Sequence, residues 1–286
     1  MNQAPVFTPL PYVHLRVVGP DASRFLQGQT SCDVEALGDQ EVRFGTVNTP
    51  KGRMVALFRI QRWQDGFLLR LHESQLEGLM AHLNKYKVFF KCELEKAPEI
   101  AAYGLVSDDF PDLEQDTWQD YAGGRLQRLP TETPVLEWLS ETPPEQINNE
   151  ASPSWLMKAC KAGLPELFAE SSDTFILQYL NLHELGAVSF SKGCYTGQEI
   201  IARMKYLGKL KKRMFVFEGG FTLDTPAPTP GSAIYFDDGS KAGELVQIQG
   251  NNTLGWVAQA VCALDLPEQN RKVNLLPDSD TPLHLI

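Results

Sequence analysis

The sequence predicts an α+β protein in which two mixed units of antiparallel sheet and helix precede a small C-terminal β-barrel. Three observations predict it. Up to about residue 140, short alternating runs interleave with stretches whose apolar residues recur at helical spacing. Residues 142–153 are then punctuated by prolines and polar residues, the composition of a crossover between domains. Beyond Arg213, short strand-like runs succeed one another between Pro, Gly and Asn turns, the pattern of a barrel or sandwich. A chain of 286 residues suffices for two or three compact cores.

Residues 12–18 read as a strand closed by Gly19-Pro20, and Asp21 as the cap of a short helix carrying Phe25 and Leu26 and ending at Gly28. Residues 42–47 and 53–62 read as strands joined by a turn at 48–52. Gln64-Asp65-Gly66 is a hairpin turn into a strand at 67–71, because Asp-Gly tolerates positive φ. Ser74-Gln75-Leu76-Glu77 reads as a capping box opening a helix with Leu76, Leu79, Met80 and Leu83 on one core-facing stripe. Strands are expected at 88–94, 101–106, 125–129 and 135–139, and a surface helix over the acidic stretch 107–118. Ser152-Pro153 supplies the N-cap and first-turn proline of a helix reaching Lys161, stopped by Gly163. A short strand is expected at 186–190. In the last third, strands are expected at 214–218, 232–236, 242–248, 254–259 and 272–276, with 225–230 a stiff, proline-rich surface loop.

Composition narrows the function. No apolar run approaches the ~18 residues of a membrane helix, and residues 1–15 lack the pattern of a secretory leader, so a cytoplasmic protein away from membranes is expected. The cysteines, at 32, 92, 160, 194 and 262, are scattered without a Cys-x-x-Cys pair. A disulfide framework, a structural zinc site and a resident four-cysteine iron–sulfur cluster are therefore not expected, and no permanent metal is assigned. A net charge of −10 argues against nucleic-acid binding over the whole surface, and direct RNA binding is not expected. One strip departs from this balance. Arg203, Lys205, Lys209, Lys211, Lys212 and Arg213 occur with no acid among them, either as a solvated helix end complementing the helix dipole or as a landing strip for an anion such as RNA; an RNA-binding module resting on this strip alone is the least favoured class.

The densest local pattern is Lys192-Gly193-Cys194-Tyr195-Thr196-Gly197-Gln198-Glu199, leading into an apolar run. Thr196 and Glu199 have the spacing of a capping box, which places Cys194 just upstream of a helix start with Lys192 nearby. Both features favour a thiolate, so a lowered thiol pKa is expected for Cys194, with Gly193 and Gly197 allowing tight turns around it.

This octapeptide resembles the signature of the YgfZ family, folate-binding proteins implicated in iron–sulfur cluster assembly or repair and in tRNA modification, related to the glycine cleavage T-protein, an aminomethyltransferase. The resemblance implies a three-domain, T-protein-like ring with tetrahydrofolate or a derivative at the junction. It implies a discontinuous first domain of residues 1–48 and 145–212, a ferredoxin-like α+β domain over 49–144, and a barrel over 213–286. It places Tyr12 and Trp155 as folate contacts, aromatic faces that suit a flat heterocycle, and Cys194 as the functional thiol beside the folate. It implies iron–sulfur client or assembly proteins as partners of a monomer. Where the aminomethyltransferases carry an acid–base aspartate, the matching stretch 71–79 has apolar Leu79, which disfavours ordinary aminomethyl transfer. A folate-dependent one-carbon or aminomethyl transferase is the alternative reading. With folate as ligand, its glutamate tail is the other anion that the basic strip could receive.

Overall fold

The structure, a computed structural model, describes residues 4–107, 110–206, 208–277 and 280–286. In chain order it contains β1 (Phe7–Pro9), β2 (Tyr12–Val18), α1 (Ala22–Gln29), β3 (Val42–Asn48), β4 (Met54–Trp63), β5 (Gly66–His72), α2 (Leu76–Lys87), β6 (Glu93–Lys96), β7 (Ala101–Leu105), β8 (Thr117–Tyr121), β9 (Gly124–Arg128) and β10 (Leu136–Ser140). Then come α3 (Ser152–Lys161), α4 (Gln198–Tyr206), β11 (Lys212–Gly219), β12 (Ala233–Phe236), β13 (Lys241–Asn251), β14 (Gly255–Ala263), β15 (Val273–Asn274) and β16 (Pro282–Leu285).

These strands form two five-stranded sheets, ordered β3-β4-β5-β2-β6 and β1-β7-β10-β9-β8, and a closed barrel ordered β11-β14-β13-β12-β15-β16. The period of two along each strand decides what faces what. On one side of the first sheet, Leu15, Val17, Ile60, Leu69 and Leu71 pack against Phe25 and Leu26 of α1 and Leu79 and Leu83 of α2. Phe25 and Leu26 are fully buried, each contributing about 1.5–3 kcal/mol of apolar transfer. On the other side, Leu57 and Leu68 meet Ala102 and Leu139 of the second sheet and Trp155 and Ala159 of α3. That shared core joins the two sheets.

The barrel is held to this core through polar contacts with α3 and the segment after it. Gln259 Nε2 donates to the carbonyls of Cys160 and Leu164 at 2.8 and 3.1 Å, and Gln247 Nε2 donates to Leu164 at 2.8 Å. The Cys160 carbonyl belongs to the last turn of α3 and that of Leu164 to the segment just after it, so the two amides fix the end of the helix against the barrel.

Several elements differ from the sequence expectation, each because tertiary pairing overrode a local signal. The expected domain boundary between residues 48 and 49 falls inside the β3–β4 hairpin, where Asn48 pairs with Met54. Phe7–Pro9 pairs with β7 of the second sheet, while β2 pairs with β5 of the first. The described residues up to Asn48 are therefore shared between the two sheets. The acidic stretch 107–118 was expected to be helical. Residues 108–109 lie outside the described residues, and the stretch ends in β8, which pairs with β9 while Asp116 O accepts from Val42 N at 2.7 Å. Residues 88–91 form a turn, and β6 starts only at Glu93. The 186–190 stretch is irregular, held by Ser31 Oγ donating to Ala187 O at 2.6 Å. Helix α1 runs past Gly28 to Gln29, and the Asp21 carboxylate, rather than capping it, accepts from Lys91 N. The capping box at Ser74 is replaced by a short 3-10 turn in which His72 Nδ1 accepts from Ser74 N. Ser152 is the first residue of α3 and gives no side-chain cap. Strands β1 and β16 carry little local signal. The latter closes the barrel by pairing with β11 and β15. Among the described residues no helix is long and apolar enough to cross a membrane.

Candidate functional site

The first sheet, the α3 segment and the barrel meet around a cavity of about 300 Å³. Its walls include Tyr12 and His72 from the first sheet, Leu156 of α3, Glu166 and Phe168 from the loop after that helix, and Pro228 from the barrel. Tyr12 and His72 are register partners on β2 and β5, so alternation delivers both rings to the same face. Phe168 extends the aromatic wall, its ring centroid 4.5 Å from that of His72. A volume near 300 Å³ is at the lower end of small-molecule sites, which span roughly 300–1,000 Å³. Three aromatic faces and one carboxylate suit a flat heterocycle bearing N–H donors, and in that sense the site fits the head of a folate.

Beneath Tyr12 lies a network of buried charge. Arg70 sits under its ring, with the guanidinium carbon 3.1 Å from the centroid. Arg70 Nη2 bonds Glu137 Oε2 at 2.8 Å, and its Nη1 reaches Glu166 Oε2 at 3.2 Å. Arg59 Nη1 approaches Glu137 at 3.4 Å, and Gln127 Nε2 donates to Glu137 Oε1 at 2.8 Å. Burial alone would push the Glu137 carboxyl up, but the two guanidiniums override it and hold it below the usual range. Arg70 thus links the cavity carboxylate Glu166 to Glu137 at the centre of the second sheet.

His14, one alternation along β2, donates from Nδ1 to Ile100 O at 2.8 Å, and burial pushes its pKa down to about 4. The unfolded chain, with an ordinary histidine, takes up a proton first on acidification. His14's contribution is therefore complete above about pH 6.5 and is lost as pH falls towards 4, amounting to about 3 kcal/mol at the lower limit. Asp116 acts in the opposite sense. Burial raises it to about 6, so the folded state protonates first and gains stability as pH drops from 6 towards 4. Urea midpoints measured between about pH 7 and pH 4 should fall more steeply for the wild type than for His14→Gln; parallel curves would exclude this role for His14.

The signature loop lies elsewhere. None of residues 192–199 lines the junction cavity, so Cys194 does not stand in its wall. Lys192 is buried and turned inward, its Nζ donating to Thr30 O at 2.8 Å and Cys32 O at 2.6 Å. Burial lowers its pKa to about 8. Lys192 is therefore a staple between the signature and the end of α1, and the expected pairing of its ammonium with the Cys194 thiol gives way to those carbonyls. Tyr195 is buried in the shared core. Gly197 is required by the backbone: its φ is +86°, and a Cβ there would lie 2.7 Å from Thr49 O. Gly193 has no such requirement, since a Cβ would meet open space. The expected Thr196–Glu199 capping box does not form. Helix α4 starts at Gln198, and Thr196 uses its own N–H on Gly28 O at 3.3 Å. Packing thus accounts for Lys192, Tyr195 and Gly197 and leaves Cys194 exposed, while Cys32, Cys92, Cys160 and Cys262 are buried.

Trp155 is also not in the cavity wall. Its Nε1 donates to Leu136 O at 3.1 Å and its indole lies against Gly104, where a Cβ would come within 2.5 Å of the ring. The neighbouring Leu156 faces the cavity instead. His72, Glu166 and Phe168 escaped the sequence reading because nothing local distinguishes them, and the proline loop at 225–230 carried a rigidity signal without a direction. Of the basic strip, Arg203 and Lys205 lie on the last turn of α4, and Lys209 and Lys211 lead into β11, which begins with Lys212 and Arg213. Among the described residues no three His, Cys, Asp or Glu side chains converge as a metal site.

Comparison with known proteins agrees with this architecture. The fold is similar to the crystal structure of glycine cleavage system aminomethyltransferase T from Bartonella henselae, with a TM-score of 0.67 at 13% identity, covering 99% of this chain and 85% of that one. No family model matches the chain. The tRNA-modifying protein YgfZ of Aliivibrio fischeri is 30% identical over 272 residues, 90% of this chain and 84% of the relative. That of Serratia proteamaculans is 35% identical over 221 residues, 70% and 67% of the respective chains. With that identity sustained over most of both chains, on an aminomethyltransferase-like fold, this chain belongs to the YgfZ family.

Proposed function

We propose that this protein binds tetrahydrofolate or a derivative in the junction cavity and, as a cytoplasmic monomer, supports assembly or repair of iron–sulfur clusters in client enzymes, including tRNA-modifying ones. The observation that carries the reading is a cavity where the first sheet, the α3 segment and the barrel meet, walled by Tyr12, His72 and Phe168 with Glu166 as the one carboxylate among the described lining residues. Tyr12 and Phe168 would hold the faces of the pteridine, and Glu166, fixed by Arg70, would accept from its N–H groups. The relatives are tRNA-modifying proteins by name, which supports the client class. Cys194, exposed on a loop whose Lys192, Tyr195 and Gly197 serve packing, would offer one thiolate ligand to a cluster in transit, the remaining ligands coming from the partner. Aminomethyl transfer is the less favoured reading. Leu79 is fully buried against the first sheet, and Glu166 is engaged by Arg70 rather than free to shuttle a proton.

Calorimetric titration with tetrahydrofolate should give saturable binding that weakens about tenfold, or ~1.4 kcal/mol, in Phe168→Ala. A folded Phe168→Ala with wild-type affinity would move the folate out of this cavity. In the native protein, iodoacetamide should label Cys194 ahead of the four buried cysteines. Cys194→Ala should retain folate affinity while cellular iron–sulfur-dependent tRNA modification falls; full modification with the alanine variant would remove the thiol from the mechanism.

A further inference from the structure

On the face that carries the signature, a groove of about 570 Å³ runs between the 186–191 loop, Arg43 of β3 and the last turn of α4. It shares no lining residue with the junction cavity. Phe190 and Tyr206 meet edge to face across it with centroids 6.2 Å apart, and Lys205 Nζ lies 3.7 Å from the Phe190 centroid. Tyr206 is 65% exposed, an unusual position for a large ring. Ser189 and Ser191 add hydroxyls to the same groove.

The groove itself carries Asp33 and an Arg43 already paired with Glu41, and its free charge comes from Lys205 and the basic strip that continues from it along the chain. Arg203, Lys205, Lys209, Lys211 and Arg213 are all exposed, and among the described residues none is paired with a carboxylate. The neighbouring Lys212 reaches Glu244 only at 3.8 Å. Elsewhere in this acidic chain Arg16, Arg62, Lys87, Lys96, Lys161 and Arg271 have each found an acid, and exposed cations without one among the described residues, such as Lys51, Lys85 and Lys158, do not follow one another in an acid-free run as those of the strip do. A chain with 36 acidic residues that leaves five neighbouring cations unmatched keeps them for an anion from outside.

We infer that this groove and strip form a docking site for single-stranded RNA, a loop or an end rather than a duplex. Single-stranded RNA combines the two features the surface offers: phosphates for a row of cations, and flat bases for exposed aromatic rings. An acidic protein segment would neutralise the cations but would leave the Tyr206 ring without a matching face. The inference goes beyond the function proposed above, which acts through client proteins, and it stands whether or not the cavity binds folate.

Fluorescence anisotropy on the full chain, with a labelled single-stranded oligoribonucleotide of about a dozen residues, tests it. Four phosphate contacts predict about 50-fold weaker binding at ~200 mM than at ~50 mM salt. Tyr206→Ala, a change at an exposed position, should weaken binding about tenfold at fixed salt without altering the salt slope. The combined Lys205→Ala, Lys209→Ala and Lys211→Ala variant should flatten the slope by about two. No binding at ~50 mM salt, equal competition by a polyglutamate peptide, or wild-type affinity in Tyr206→Ala would each overturn the inference. Tetrahydrofolate titration of the same variants should be unchanged, which separates this site from the cavity.

Discussion

Glu137→Ala should lower the stability of the protein by about 3–5 kcal/mol, among the largest losses available from one substitution in this chain. The carboxylate is fully buried and accepts from Arg70, Arg59 and Gln127. Its removal leaves Arg59 with no counter-charge and Arg70 with Glu166 alone, two guanidiniums close together in the interface between the sheets, and water cannot replace the carboxylate without opening that interface. A typical domain has only about 5–15 kcal/mol in total, so the variant should unfold at much lower urea or accumulate poorly. Glu137→Gln keeps the shape and one acceptor and should be less damaging. A loss under about 1 kcal/mol in Glu137→Ala would mean that the cluster is far better solvated than its burial implies. Because Arg70 also holds Glu166, folded Glu137 variants should show altered ligand affinity at the cavity as well.

Trp155→Ala should cost about 3–5 kcal/mol through a cavity between α3 and the second sheet, together with an unpaired Leu136 carbonyl. Gly104→Ala attacks the same contact from the opposite side, since its methyl would occupy the space of the indole. The two substitutions should therefore destabilise in parallel, and the double variant should cost less than the sum because they disturb one contact. Trp155→Phe keeps most of the packing, and since the ring does not line the cavity, tetrahydrofolate affinity should stay within about twofold of wild type, below ~0.5 kcal/mol. A large affinity loss in a stable Trp155→Phe would return this ring to the ligand site.

What was legible in the sequence was whatever has a local cause. Alternation gave most strands of the two sheets, though not β1 or β8, and most of the barrel, the apolar stripe gave α2, and Asp-Gly gave the β4–β5 hairpin, because each depends on residues a few positions apart. The octapeptide marked its loop because eight contiguous residues form a pattern without reference to anything distant. What the tertiary structure alone decided was partnership across the chain. Lys192 stands two residues from Cys194, yet its ammonium serves carbonyls 162 and 160 positions away, because a buried cation must find acceptors and those were within reach. Trp155 became a core residue and Leu156 a cavity residue through the rotation of α3 against Gly104, a choice no helical period encodes. The end of the acidic stretch, from Thr117 on, paired as the edge strand β8 because β9 offered unpaired backbone groups, outweighing any helical preference of its own. Glu166, Phe168 and the proline loop came together at the cavity for the same reason: convergence of segments dozens of residues apart is set by how sheets and barrel pack, and local sequence does not contain it.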